Sequence, residues 1–243
     1  MPEDRPAVAV FRPDDDRIEA AVDLLESLGA EPVPDPMLAV EPTDATPRTD
    51  ADYVVLTSKT GAELVAAADW QPGEATLCAI GAPTAEALGD AGYEVDVVPA
   101  EFSSSGLVRE LADAVDGARV EVARSDHGSP VLLEGFENAG AYVHETVLYR
   151  LVRPPEAGVS VERAVAGELD AALFTSSLTV EHFLEIAAER DEGDAARAGL
   201  ADAVVGTIGQ PTRDTAEGAG VDVDVVPDRA DFESLARAVV DDL

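Results

Sequence analysis

Basic residues are scarce in this chain. Only 16 lysines and arginines stand against 50 acidic residues in 243, a formal net charge of −34, and Lys59 is the sole lysine. A surface of that sign repels nucleic acid and anionic membrane, so neither is expected as a partner. Cysteine is almost absent as well. Cys78 stands alone in an apolar stretch, which excludes disulfides and cysteine-based metal sites and reads as a buried small side chain rather than a nucleophile. His127, His144 and His182 are scattered, with no spacing that suits a metal. No apolar run approaches the roughly 18 residues of a membrane span. The opening Met-Pro-Glu-Asp-Arg lacks the basic and apolar regions of a signal peptide, so a cytoplasmic protein is expected. G-x-G-x-x-G, G-x-x-x-x-G-K-[ST] and G-x-S-x-G are all missing, which argues against a Rossmann enzyme, a P-loop enzyme and an α/β-hydrolase.

What is present is enough for a large core: 46% of the residues are hydrophobic, and the length suits about two domains. The acidic residues are spread along the whole chain rather than gathered in a tail, so they read as a solvated surface. Such a surface repels itself at low ionic strength. At about 1 M salt the screening length shrinks to roughly 3 Å and the repulsion is largely lost. A halophilic cytoplasm is the inference.

The most informative stretch is Ala79 to Pro99, AIGAPTAEALGDAGYEVDVVP, which returns 128 residues later as Thr207 to Pro227, TIGQPTRDTAEGAGVDVDVVP. Eleven of the 21 aligned positions are identical without a gap, among them Ile80/Ile208, Gly81/Gly209, Pro83/Pro211 and Thr84/Thr212. Each copy reads as a strand end, a Pro-Thr turn, a short helix closed by Gly92 or Gly220, and a Val-rich strand stopped by proline. Thr84 and Thr212 read as helix caps, and the same helix starts can accept an anionic group. A second match, Asp52 to Lys59 (DYVVLTSK) with Asp170 to Ser177 (DAALFTSS), extends the duplication.

Taken in order, Ala7 to Phe11 is a short strand. An acidic turn at Asp14 to Asp16 can cap the helix of Ile18, Val22, Leu25 and Leu28. Prolines from Pro32 to Pro47 interrupt an extended stretch that turns into a linker. Arg119 to Arg124 answers the first strand, and a strand at Tyr142 to Val152 ends at Pro154-Pro155. Each half is thus a β-α-β piece followed by a β-α-β-α-β-α piece, which implies parallel sheets with helices on both faces. The fold expected is α/β, with two similar flavodoxin-like domains. The repeat leaves open whether they are tandem or exchange segments.

Small hydroxyl residues recur at the strand ends, where ligands sit in doubly wound sheets: Thr57-Ser58, Ser103 to Ser105, Ser125 and Thr175-Ser176-Ser177. Donors without a strong acid, base or metal suit a large polyanion. In order, Arg12-Pro13, Thr57-Ser58-Lys59, Ile80-Gly81-x-Pro83-Thr84, Val147-Leu148-Tyr149-Arg150, Phe174-Thr175-Ser176-Ser177 and Ile208-Gly209-x-Pro211-Thr212 resemble uroporphyrinogen-III synthase over nearly the whole chain. Gln210, Arg213-Asp214 and Ser177-Leu178 depart from the family's usual residues.

The resemblance implies two α/β domains, residues 1–37 with 153–243 and an inserted 38–152, joined by a two-stranded linker with chain exchange between the halves. It implies closure of hydroxymethylbilane, an octacarboxylate linear tetrapyrrole, with inversion of ring D and loss of water, in a tetrapyrrole pathway that serves heme or cobalamin. No metal or organic cofactor is implied. A monomer is expected, with transient contact to the preceding pathway enzyme. Tyr149 maps onto the family's tyrosine that hydrogen-bonds the leaving hydroxyl; its plain structural alternative is packing at the linker. The substrate-binding set carried over is Thr57, Ser58, Thr84 and Ser103 from one domain and Thr175, Ser176, Ser177 and Thr212 from the other. Arg12, Lys59 and Arg124 lie at strand ends and join that set, Lys59 because the composition has otherwise discarded lysine. Arg150 and Arg213 read as surface ion pairs.

Two rivals remain at this level: a two-domain module that binds a small anionic metabolite without chemistry, and an enzyme of another class on the same fold. The charge itself yields a prediction. Stability should fall below about 0.5 M salt as screening of the acidic surface weakens. A melting temperature that stays constant from low to multimolar potassium chloride would refute the salt adaptation.

Overall fold

Short apolar strands build both halves of the chain, and two of them, Tyr53–Leu56 and Ala171–Phe174, each follow an aspartate and run into a threonine. The computed structural model describes residues 5–13 and 16–243. In chain order the strands are β1 (Ala7–Phe11), β2 (Glu31–Pro34), β3 (Ala39–Pro42), β4 (Tyr53–Leu56), β5 (Thr76–Ala79), β6 (Arg119–Ser125), β7 (Tyr142–Val152), β8 (Ala171–Phe174) and β9 (Val204–Thr207). The helices are α1 (Asp16–Ser27), α2 (Lys59–Ala67), α3 (Ala82–Asp90), α4 (Ser104–Leu111), α5 (Val131–Asn138), α6 (Val159–Ala166), α7 (Ser177–Glu189), α8 (Gly193–Ala201), α9 (Gln210–Gly218) and α10 (Phe232–Val240). The chain divides into two units, Met1–Ala39 with Val152–Leu243, and Val40–Leu151. Among the described residues no helix is long and apolar enough to cross a membrane.

In the first unit the strands stand in the order β2-β1-β8-β9, and every pair is parallel. All five residues of β1 are buried, as a central parallel strand covered on both faces requires. Alternate side chains feed two cores. Ala7, Ala9 and Phe11 pack with α6, α7, α8 and α9, while Val8 and Val10 pack with α1 and α10. Phe11 lies beside Phe174 in register, their rings stacked at 4.6 Å, and Phe183 of α7 meets both edge-on. In the second unit the order is β3-β7-β6-β4-β5, with β7, β6, β4 and β5 parallel. Here α2 and α3 cover one face, and α4 and α5 the other. Leaving β3 aside, each unit therefore places its second strand beside its first and its third and fourth beyond, the flavodoxin-like order.

The duplication has a physical reason at four aspartates. Asp52 accepts a hydrogen bond from the Arg119 N–H (2.8 Å), and Asp170 from that of Ala7 (2.7 Å). Asp96 and Asp224 do the same for Leu77 (2.7 Å) and Val205 (2.8 Å). Each carboxylate ties the start of a strand to a neighbouring segment and satisfies a main-chain donor there. The Val-rich segments that hold Asp96 and Asp224, expected as strands, are corrected to single bridges, Cys78 with Val97 and Gly206 with Val225. The aspartate occupies the strand-start donor, and Pro99 and Pro227 follow too soon for a ladder.

Two helices, α6 and α8, carry no strong sequence signal. The start of α6 is capped from far away: buried Asp35 accepts from the N–H groups of Gly158 and Ser160 (both 2.9 Å) and from the Ser160 hydroxyl. The acidic turn read at Asp14 to Asp16 rests on Asp14 and Asp15, and the opening residues on Met1 to Asp4; these lie outside the described residues.

Cys78 sits wholly buried in β5, as a small core side chain. Burial, and then the charge of Asp96, push its thiol up to about 12. Iodoacetamide at pH 8 should therefore leave the folded protein unmodified, with labelling roughly 10³-fold slower than for an ordinary thiol. Intact-mass measurement with and without denaturant checks this, and native labelling as fast as that of the unfolded chain would contradict it.

Candidate active site

In the Val40–Leu151 unit the chain leaves β6 toward α5 on one face and leaves β4 toward α2 on the other. The two adjacent strand ends open a crevice, the usual ligand position in such sheets. Thr57 and Ser58 from the β4 side, and Ser125, Gly128 and Ser129 from the β6 side, line a cavity of about 210 Å³ there with Ile80, Ser104, Arg124 and Tyr149. Tyr149 reaches it through a register shift. Arg124 pairs with Val147, but Ser125 pairs with Tyr149, so β7 carries one extra residue at this point. A bulge of this kind re-aims the side chains beyond it. Leu148 and Tyr149 consequently pack into the same core, with Tyr149 only 6% exposed.

The Tyr149 hydroxyl donates to Ser58 Oγ at 3.0 Å, and the same oxygen accepts from the Gly61 N–H at 3.0 Å as the cap of α2. A serine hydroxyl has two lone pairs and one proton. With both lone pairs engaged, Ser58 keeps its proton for an acceptor in the cavity. Gly61 is needed for this approach, because a Cβ there would stand 3.1 Å from Ser58 Oγ and 3.3 Å from Leu148.

Arg124 is 7% exposed at its side chain. Its Nε donates to Glu145 (2.6 Å) and its Nη1 to the Ser129 carbonyl, so the cation is already balanced and holds the turn after β6. Gly128 crosses directly over it, where a Cβ would meet Arg124 Cδ at 2.5 Å. Asp126 fastens the same turn to the end of β7, accepting from the Leu151 N–H (3.1 Å) and bonding His127 Nδ1 (2.9 Å). Burial works to raise its pKa, but the bonds from His127 and Leu151 outweigh that and hold the carboxyl below its ordinary value.

Of the residues expected from the sequence in this unit, the cavity gathers Thr57, Ser58, Arg124 and Tyr149. Lys59 is not among its lining; its side chain is 67% exposed and pairs with Glu63 one turn along α2, at 3.5 Å. Ser103 caps α4 by accepting from the Gly106 N–H (2.9 Å), and its neighbour Ser104 lines the cavity instead. Thr84 is buried in the first turn of α3 and is not its cap. That position belongs to Gly81, and no side chain caps the helix. Thr212 of α9 repeats the arrangement behind Gly209. The capping expected of both threonines is thus corrected: the helices start three residues earlier than a threonine cap requires.

In the other unit the matching crevice lies between the ends of β1 and β8. Thr175 closes it by donating to the Phe11 carbonyl at 2.6 Å. Ser176 caps α7 in a reciprocal box with Thr179. Ser177 donates to the Pro211 carbonyl (3.2 Å) and accepts from Thr215 (2.8 Å), linking α7 to α9. The Arg12 guanidinium lies 5.1 Å from the Phe232 ring centroid. Arg213 pairs with Glu217 at 2.7 Å, and Arg150 is exposed.

The positive potential offered here comes from helix starts more than from cations. The first turns of α3 and α9, without a side-chain cap, present main-chain N–H groups suited to carboxylate oxygens. Gly81 and Gly209 escaped the sequence reading as caps, although a glycine ahead of Pro-Thr was the available signal.

The family model for uroporphyrinogen-III synthase HemD matches residues 19–237. A curated Methanothermobacter thermautotrophicus protein provisionally named uroporphyrinogen-III synthase is 30% identical over 199 residues, covering 75% of this chain and 78% of that protein. Among solved structures, a mutant uroporphyrinogen III synthase of Thermus thermophilus superposes with a TM-score of 0.64 at 22% identity, over 96% of each chain. A uroporphyrinogen-III synthetase of Helicobacter pylori gives 0.62 at 14% identity, over 98% of this chain and 100% of that one. At these identities the structural likeness speaks for the fold.

Proposed function

The chain belongs to the uroporphyrinogen-III synthase family, and from that premise we propose how its own residues bring about ring closure. The family is a cyclising lyase acting on hydroxymethylbilane, and this chain is such an enzyme of tetrapyrrole biosynthesis. The observation that carries the residue-level reading is the Tyr149 hydroxyl bound to Ser58 at the strand-end cavity. With substrate in place the Tyr149 O–H turns from Ser58 Oγ to the leaving hydroxyl, which accepts its hydrogen bond as the C–O bond breaks, and water departs to leave an azafulvene. Phenols are weak acids, so the contribution is a hydrogen bond to the departing oxygen rather than full proton transfer. Attack by the substituted carbon of ring D forms a spiro intermediate, which fragments and recloses with that ring inverted. Ser58 anchors the phenol before substrate arrives and then directs its own proton toward the substrate.

In the Val40–Leu151 unit, carboxylates of the substrate are bound by Thr57, Ser58 and the start of α3; in the other unit Ser176 and the start of α9 offer donors of the same kind, while Thr175 holds the Phe11 carbonyl. Arg124 shapes the turn that walls the cavity. Arg12 and Ser177 complete the set of this proposal at the strand ends of the other unit, while Ser103 is held as a helix cap, Thr84 and Thr212 are buried, and Lys59 pairs with Glu63. Completion of the C-terminal domain by the N-terminal segment is supported by the pairing of β1 with β8, and a two-stranded linker near residues 38 and 152 by the two passages of the chain between the units. A salt-adapted protein that repels its own copies and stays monomeric is supported by the charge of −34; a cytoplasmic location and transient contact with the preceding pathway enzyme belong to the same proposal.

Product identity tests the activity. Incubation with hydroxymethylbilane in high salt, followed by oxidation and separation of the uroporphyrin isomers, should give isomer III well above the uncatalysed background, where isomer I forms. Isomer I alone would remove the assignment. Within that assay Tyr149→Phe should keep the fold and the substrate affinity while slowing closure by roughly 10²-fold. The enzyme's own product should remain isomer III, because inversion depends on how the substrate is folded and not on one hydroxyl. Wild-type turnover by this variant would return Tyr149 to a packing role.

A further inference from the structure

The duplicated chain builds one turn twice, and the two copies differ in a way that bears on substrate binding. In residues 101–106 the Ser103 N–H bonds the Glu101 carbonyl (2.8 Å) and Ser103 caps α4. In residues 229–234 the Asp231 N–H bonds the Arg229 carbonyl (2.8 Å) and Asp231 caps α10, accepting from Ser234 (2.8 Å). The offset is the same 128 residues that relates the two glycine starts. In each copy the residue between carbonyl and cap leans on the glycine that opens the neighbouring helix. A Cβ on Gly81 would stand 3.1 Å from Phe102 Cβ, and one on Gly209 would stand 4.0 Å from Ala230 Cβ.

Phe102 is therefore an aromatic residue where the twin carries alanine, and it is 63% exposed. Phe11, Phe136, Phe174 and Phe183 are fully buried. A single exposed hydrophobic residue needs no explanation by itself, but the turn that carries this one is braced. Gly106 lies so close beneath the turn that a Cβ would come within 2.1 Å of the Glu101 carbonyl, and Arg109 clamps Glu101 at 2.6 Å. Its surroundings point the same way. Ile80, next to Gly81, and Ser104, two residues on, both line the cavity that holds Tyr149, and the uncapped start of α3 lies beneath the ring's own Cβ.

The geometry points to Phe102 as a binding residue for the face of a substrate pyrrole, with the ring's carboxylate side chains directed to the N–H groups at the start of α3. A pyrrole presents a flat apolar face with anionic arms at its edge, and this site offers an exposed phenyl on a braced turn beside main-chain donors. The inference rests on the reaction proposed above. It adds that recognition in the Val40–Leu151 unit has an apolar component that the Ala230 turn does not supply.

The test is steady-state kinetics of isomer III formation in high salt with Phe102→Ala and Phe102→Tyr. Alanine keeps the Cβ that packs on Gly81, so the melting temperature should not change. Loss of the ring should raise KM by roughly 3- to 10-fold, the range for one aromatic contact, with kcat within twofold of wild type. Phe102→Tyr should restore KM. An unchanged KM in Phe102→Ala, or no recovery with tyrosine, in an enzyme whose wild type makes isomer III, would overturn the role of Phe102 alone. A wild-type protein that makes no isomer III would overturn the activity and this inference together.

Discussion

A parallel strand must be flanked and covered before its backbone and side chains are satisfied, and β1 obtains one neighbour from nearby in the chain and the other from far along it. On one side lies β2, which follows it through α1; on the other lies β8, about two thirds of the chain further on. Everything else is arranged around that closure. The Asp170 carboxylate on the Ala7 N–H fixes the start of the pair, the Phe11–Phe174 stack fills its end, and the Thr175 hydroxyl on the Phe11 carbonyl seals the point where the two strands diverge. In the second unit Asp52 and Arg119 repeat the first of these for β4 and β6. Because the strands run parallel, both crevices open at their C-terminal ends, where the hydroxyl residues stand.

Much of this was legible in the sequence. The strands Ala7–Phe11 and Tyr142–Val152 follow from unbroken apolar or alternating runs, and the repeat of AIGAPT and TIGQPT marks equivalent strand ends. The site was legible in part. Thr57, Ser58, Arg124 and Tyr149 come together because all four lie at the ends of adjacent strands, which the order of elements already implies. What stayed hidden depends on distance in space. Asp35 caps a helix that begins more than a hundred residues away, and Asp96 bonds a strand start instead of continuing a strand. The bulge that sets Tyr149 opposite Ser125 leaves no trace in composition. Lys59 misled for the opposite reason: its rarity drew attention, but the first turn of α2 directs it to Glu63.

An acidic enzyme that takes an octacarboxylate faces a repulsion that a few arginines cannot cancel. Arg124 is matched by Glu145, Arg213 by Glu217 and Lys59 by Glu63, so little side-chain positive charge is left uncompensated near the strand ends. Helix starts avoid this difficulty. Their partial charge is carried by the backbone and does not change with surface composition, and it acts over the short range at which a carboxylate oxygen meets an N–H group. The glycines at 81 and 209 matter in this respect, since a serine or aspartate there would occupy the donors itself, as Ser58, Ser103, Ser176 and Asp231 do for their own helices. A surface free to become acidic and a site that still attracts anions are then compatible in one chain.

Duplication supplied two crevices of the same design, yet only one acquired a phenol. Ser58 and Ser176 are equivalent caps, but Ser176 bonds within its own turn to Thr179, whereas Ser58 also receives Tyr149. The difference traces to the strand that follows β1 in one unit and β6 in the other. β2 stops at Pro34 after four residues, and its continuation is spent on Asp35 capping α6 and on Met37, whose carbonyl bonds His182. β7 runs for eleven residues and passes the bulge before it ends, which carries a side chain past the tips of β4 and β6. A strand that short cannot reach its neighbour's cap, while the longer one can. The Tyr149–Ser58 pair is therefore particular to the Val40–Leu151 unit, and its twin keeps only the capping serine.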